Sequence, residues 1–294
     1  MWRLRLRLGN AVKVAKDNDD MAPTDLCDGY GYTPIERLPN LPRETPQYVC
    51  DQVEERLHEV MTLPAEAGSI LESCTGTIID VGPGEGISAM ALARLASRAV
   101  ILGIEMDRDH LVSAWPLCQD LKNLRLFWGA VPSSPSNPRV KAGAPLAPTR
   151  DMDADICTVL FTWTGMSRRD IFAPSAPWYH AVQESCVLVL PRVWRLGMQA
   201  LPSSSRGKVE SLCDTLGVPR PGWRESTALP GFARTKFLAL DKPVRARGWL
   251  LWLTGLFDSA DITLWDTLTD RWTASPKYQL PEVELELEVA IGYR

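Results

Sequence analysis

Thr77-Ile-Ile-Asp80-Val-Gly82-Pro83-Gly84-Glu85-Gly86-Ile-Ser-Ala-Met-Ala-Leu-Ala-Arg94 is the stretch that decides the fold. A short β-branched, apolar run gives way to alternating glycines, then to an alanine-rich segment of helical character. The reading is a buried strand, a tight glycine turn and a helix that starts at Ile87. Residues without Cβ let a ligand approach the backbone, and the first turn of a helix supplies unpaired N–H groups. A second apolar run, Ile101-Leu-Gly103-Ile-Glu105, follows and ends in a carboxylate.

The spacing and the charges discriminate between ligands. A dinucleotide fingerprint is G-x-G-x-x-G with a pyrophosphate on the helix N-terminus. Here the spacing is Gly82-Pro83-Gly84-Glu85-Gly86, and Asp80 and Glu85 flank it. Like charges would set Glu85 against a pyrophosphate. A sulfonium cofactor with a free amino group carries positive charge, which suits both acids. Glu105 has two carboxylate oxygens to offer the hydroxyls of a ribose. S-adenosylmethionine is therefore the expected cofactor, with a dinucleotide or an empty turn as alternatives. The expected contacts are Asp80, Gly82, Pro83, Gly84, Glu85, Gly86 and Glu105.

Working outward, apolar positions at helical spacing predict helices over 47–61 and 65–73, with Pro64 between them. Strands are predicted at 77–81, 99–105, 124–128, 155–161, 185–193 and 232–240. Helices are predicted at 87–97, 107–119, 176–184 and 207–216, with Asp107 as an N-cap. Strands alternating with helices imply crossovers, hence an α/β, doubly wound, mainly parallel sheet. Three regions follow: 1–46 as basic arm and irregular lead-in, 47–242 as the main domain, and 243–294 as a tryptophan-rich extension. The extension opens on a basic, then apolar run from Arg245 to Phe257. This is read as a core helix, a docking surface for a protein partner, or a membrane-surface contact. It closes on Glu282-Val-Glu-Leu-Glu-Leu-Glu-Val-Ala-Ile291, whose period of two predicts a strand added to a sheet edge, in this chain or in a partner.

Composition removes several classes. A net charge of −4 argues against one broad basic face for naked nucleic acid. Seven scattered cysteines and three histidines show no metal-ligand spacing, and the odd cysteine count argues against a disulfide framework. No apolar run reaches the length of a spanning helix. Residues 1–16 carry Arg3, Arg5, Arg7, Lys13 and Lys16 with no acid, which suits mitochondrial targeting; a basic arm or an edge strand is the plainer alternative.

Asp80-Val-Gly-Pro-Gly-Glu-Gly86 followed by Gly103-Ile-Glu105 resembles motifs I and II of the class I, seven-stranded S-adenosylmethionine-dependent methyltransferases, over roughly 45–240. The resemblance implies a Rossmann-like, seven-stranded sheet whose last strand is antiparallel. It also implies cofactor contacts at Asp80, Gly82, Gly84, Gly86 and Glu105. The chain departs from the family after its third strand, where Trp128-Gly129-Ala130 replaces the usual acid. After strand four Phe161-Thr162-Trp163-Thr164 replaces the motif of base amino-methylating enzymes. The chain is loosely similar to non-SET lysine methyltransferases and to tRNA guanine-N7 methyltransferases.

Methyl transfer from a sulfonium demands chiefly proximity and alignment. Substrate-pocket candidates are Thr162, Trp163, Tyr30 and Tyr32, and no catalytic base is assigned. Two functions lead, with a small-molecule methyltransferase as a third option. One is a mitochondrial methyltransferase acting on protein or structured RNA. The other is an inactive methyltransferase-like subunit of a mitochondrial RNA–protein complex, such as a ribosome or its precursor, held through the C-terminal extension.

Overall fold

The computed structural model describes residues 32–45, 47–129, 154–160, 171–172, 182–216, 225–241, 244–246 and 283–294. The opening stretch folds as read. Strand β2 (Thr77–Val81) is buried at all five positions, as its β-branched run demands of a strand covered on both faces. Helix α3 (Ile87–Leu95) follows, buried from Ser88 to Ala93. An alanine-rich helix with no wet stripe belongs between two layers. One layer is the sheet; the other is α1 (Gln47–Met61), which packs on α3 and buries Val49, Val53 and Val60. Helix α2 (Ala65–Ser73) completes the pair predicted around Pro64.

Strand β3 (Val100–Glu105) lies parallel to β2, with Asp80 opposite Gly103. Helix α4 (Arg108–Cys118) then crosses to β4 (Leu124–Trp128), which runs parallel to β3. Asp107 caps α4 as predicted, accepting from Asp109 N at 3.1 Å and His110 N at 3.5 Å. On the other side β2 pairs in parallel with β5 (Ala154–Val159), with Asp80 opposite Thr158.

The lead-in is more ordered than its prolines suggest. Thr33–Pro34 forms a short edge strand, β1, antiparallel to β4. Proline is tolerated there because an edge position needs no ladder N–H.

The remaining elements are β6 (Val182–Pro191), α5 (Arg192–Leu196), α6 (Ser203–Leu216), β7 (Arg234–Ala239), β8 (Val244–Ala246), β9 (Val283–Leu285) and β10 (Leu287–Tyr293). Residues 182–184 open β6 rather than ending the helix predicted at 176–184; residues 176–181 lie outside the described residues. The main sheet has the order β1-β4-β3-β2-β5-β6-β10-β7, and β10 pairs with β7 antiparallel. Apart from the small β1, this is the mainly parallel seven-stranded sheet with an antiparallel late strand.

Two compact units divide the chain. One holds β1 to β5, α1 to α4 and β6 as far as Val187; the other holds Leu188–Arg294, with the elements from α5 onward, together with the segments 133–139 and 161–176. In the second unit the C-terminal run corrects the sequence reading. The strand lies inside the sheet, between β6 and β7, and not at its edge. Leu287 to Gly292 are all buried. Glu288, which period-two alternation assigns to a wet face, is 1% exposed and is gripped by Arg195 of α5. Val283–Leu285 pairs with β8 in a separate small sheet. Residues 1–31 and 247–282, which carry the basic arm and the apolar run from Trp249 to Phe257, lie outside the described residues.

Candidate functional site

The sheet order reverses on either side of β2, whose neighbours are β3 and β5. In open α/β sheets ligands bind beyond the carboxyl ends of strands at such a switch point. The glycine turn stands at that end of β2. Gly82, Gly84 and Gly86 have φ of 68°, 60° and 76°, left-handed values that only glycine adopts without strain. Gly82 N donates to Ile104 O at 2.9 Å and ties the turn to the end of β3. A Cβ on Gly84 would meet nothing within 4 Å, so the backbone there borders open space. Gly103 serves packing instead: its Cβ would come within 2.6 Å of Leu126 Cδ2 and 3.3 Å of Pro83 Cγ. Pro83 is buried behind the turn.

The acids of the turn have different environments. Glu105, at the end of β3, is 6% exposed. Its Oε2 accepts from Gly84 N at 2.8 Å and its Oε1 from Asp107 N at 2.7 Å. One carboxylate thus braces the turn and the start of α4 together. Burial raises its pKa, opposed by the N–H groups of Asp107 and Gly84. Each oxygen keeps a second lone pair for a hydroxyl donor.

Asp80 is 0% exposed. Ser88 Oγ donates to its Oδ2 at 2.6 Å and Thr158 Oγ1 to its Oδ1 at 2.8 Å. Its carboxyl therefore stands behind the turn, joined to α3 and β5, and supports the site from within. Burial pushes its pKa up to about 7, against the two hydroxyl bonds. Unfolded, Asp80 ionises near 3.8. Between these values the folded chain holds one proton more than the unfolded chain, so stability falls as pH rises through that window and levels above about 7. Asp80→Asn, uncharged and of the same shape, is expected to remove this slope. By thermal melts, the wild type should lose roughly 2 kcal/mol between pH 5 and pH 7.5 that the variant keeps. Parallel curves would show that Asp80 is ionised throughout.

Glu85 is half-buried between Gly84 and Gly86, and Tyr48 of α1 donates its phenol to Glu85 Oε1 at 3.3 Å. Trp128, opposite Glu105 in the β3–β4 register, donates Nε1–H to Met106 O at 3.2 Å.

The structure therefore gathers Asp80, Gly82, Pro83, Gly84, Glu85, Gly86 and Glu105 at one end of the sheet, in the first unit. Of the pocket candidates, Tyr32 is 5% exposed and directly precedes the edge strand β1. Tyr30, Thr162 and Trp163 lie outside the described residues. Sequence reading missed Ser88, Thr158 and Tyr48. Ser88 had a signal, because a lone hydroxyl in the buried Ile-Ser-Ala-Met run needs a partner. Tyr48 and Thr158 had none, since crossovers bring them in from distant sequence. No helix among the described residues is long and apolar enough to cross a membrane.

No protein-family profile and no curated protein matches this chain. Among solved structures it is similar to YjhP from E. coli, at 13% identity and a TM-score of 0.40, over 82% of this chain and 93% of that one. It is also similar to YcgJ from Bacillus subtilis, at 10% and 0.37, over 83% and 98%. A third is precorrin-6y C5,15-methyltransferase from Geobacter metallireducens, at 10% and 0.35, over 79% and 92%. Similarity at this level carries no functional argument. The strand order and the glycine turn of the chain itself are those of an open, doubly wound, Rossmann-like α/β fold.

Proposed function

We propose that this chain is an S-adenosylmethionine-dependent methyltransferase acting on a macromolecule, protein or structured RNA, in the mitochondrion. The observation that carries the cofactor is the 2.8 Å bond from Gly84 N to Glu105 Oε2, which joins the glycine turn to the acid at the end of β3. Glu105 would hold the ribose hydroxyls, and the open backbone at Gly84 would let the cofactor lie against the turn. Bound there, the cofactor supplies an electrophilic methyl group on a sulfonium. Asp80 keeps the turn rigid from behind, and the buried sheet beneath excludes water from one side. Orientation of this kind is the main protein contribution to a displacement of this type.

Calorimetric titration with S-adenosylmethionine tests the reading. A saturable heat is expected; none at about 1 mM, where binding is worth only about −4 kcal/mol, would end it. Methyl-labelled cofactor then reports the acceptor: label removed by ribonuclease indicates RNA, label removed by protease indicates protein. Uptake of the full chain into isolated mitochondria tests the location, and exclusion from them would withdraw it.

One observation favours a second reading, an inactive methyltransferase-like subunit of a mitochondrial RNA–protein complex. Trp128-Gly129 stands at the end of β4 where the family carries an acid, and the Trp128 indole donates to a backbone carbonyl. Cofactor binding without label transfer to any fraction, together with cosedimentation with such a complex, would favour this reading.

A further inference from the structure

The three acids around the glycine turn are not equivalent, and the difference assigns one of them a task. Asp80 is sealed off, with both oxygens taken by Ser88 and Thr158. Glu105 is buried and spends one lone pair of each oxygen on Gly84 N and Asp107 N, leaving it suited to neutral hydroxyl donors. Glu85 differs from both. It is half-buried, and only its Oε1 is engaged, by Tyr48; its Oε2 has no hydrogen-bond partner among the described residues. Its main chain is held between two glycines of left-handed conformation, so the side chain leaves the turn from a fixed root.

Tyr48 is the second part of the arrangement. It stands in the first turn of α1, far from Glu85 in sequence, and is 52% exposed, an unusual place for a large aromatic ring. Helix α1 is packed on α3, the helix that Gly86 begins, so both partners rest on one rigid support. Glu85 beside the phenol pushes the Tyr48 pKa above its ordinary value, which keeps the hydroxyl protonated and donating.

We propose that Glu85 takes the α-ammonium group of the bound cofactor through its open carboxylate oxygen, and that Tyr48 is the residue that positions it. The inference rests on the S-adenosylmethionine reading. A carboxylate with one oxygen tethered and the other open loses less conformational freedom on meeting a cation than an untethered side chain. The pair therefore acts on ligands that carry the amino acid part and leaves the nucleoside part alone.

Three ligands separate the possibilities by calorimetry on the full chain: S-adenosylmethionine, S-adenosylhomocysteine and 5′-methylthioadenosine, which lacks the amino acid. Glu85→Gln is expected to weaken the first two about tenfold, the loss of one charge-assisted bond, and to leave the third unchanged. Tyr48→Phe removes only the hydroxyl and is expected to weaken the first two about threefold, again sparing the third. If both variants bind all three as the wild type does, the inference falls and the cofactor reading stands. If Glu85→Gln weakens all three alike, the turn itself is damaged and the ammonium assignment falls. If the wild type binds none, the cofactor reading falls and takes the inference with it. Equal losses for the cationic methionine and neutral homocysteine cofactors place the contact at the ammonium; a loss for S-adenosylmethionine alone would move it to the sulfonium and overturn the assignment.

Discussion

Replacing Glu105 by alanine is expected to abolish cofactor binding and to lower stability by roughly 2–4 kcal/mol. The side chain is 6% exposed and satisfies two main-chain donors, Gly84 N and Asp107 N. Truncation leaves both N–H groups without that acceptor, each at the desolvation cost of a buried donor. Glutamine is a sharper probe. Its amide carbonyl can accept from one of the two, but its NH2 then faces the other donor. Glu105→Gln should therefore retain part of the stability and still disturb either the turn or the start of α4. Urea denaturation measures the first effect and calorimetry the second. An alanine variant within about 1 kcal/mol of wild type would mean that water replaces the carboxylate and that the brace is not structural.

In the second unit the largest effect is expected from Arg195→Ala, about 3–5 kcal/mol, the usual consequence of leaving one half of a buried ion pair alone. Arg195 Nε lies 2.8 Å from Glu288 Oε1 and its Nη2 lies 2.9 Å from Oε2, a two-armed grip on a side chain only 2% exposed. The guanidinium also stands 4.5 Å from the Phe237 ring centroid and reaches Glu225 at 3.2 Å. Burial already raises the Glu288 pKa, against the bonds from Arg195. Without Arg195 the carboxyl holds its proton to higher pH, so the variant's deficit grows as pH rises above the ordinary carboxylate range. Arg195→Met with Glu288→Leu removes both charges and should recover most of the loss. Denaturation curves of the two variants decide this, and a single variant as stable as the wild type would show that β10 is held by its apolar neighbours alone.

Much of the site is legible in the amino-acid sequence. Glycine at 82, 84 and 86 has a local cause: a strand turning into a helix within a few residues needs left-handed backbone. The all-buried Thr77–Val81 run and the alanine-rich helix after it are equally local, because covering both faces removes the polar positions. Asp80 and Glu105 can be picked out along the chain as acids at strand ends but not told apart. One lies behind the turn and the other under it, and that difference comes from Ser88, Thr158, Gly84 and Asp107 arriving from separate elements.

By itself the sequence determined the alternation of strands and helices, the glycine turn, the Asp107 cap and the acids near the turn. These follow from the sterics and burial of neighbouring residues along the chain. The tertiary structure decided where the final strand goes, which acid is sealed, and which one Tyr48 holds open. A period of two says that a strand alternates, not which strands flank it. Insertion of β10 between β6 and β7 is possible because Arg195 covers Glu288, the one charge in that strand that burial would otherwise forbid.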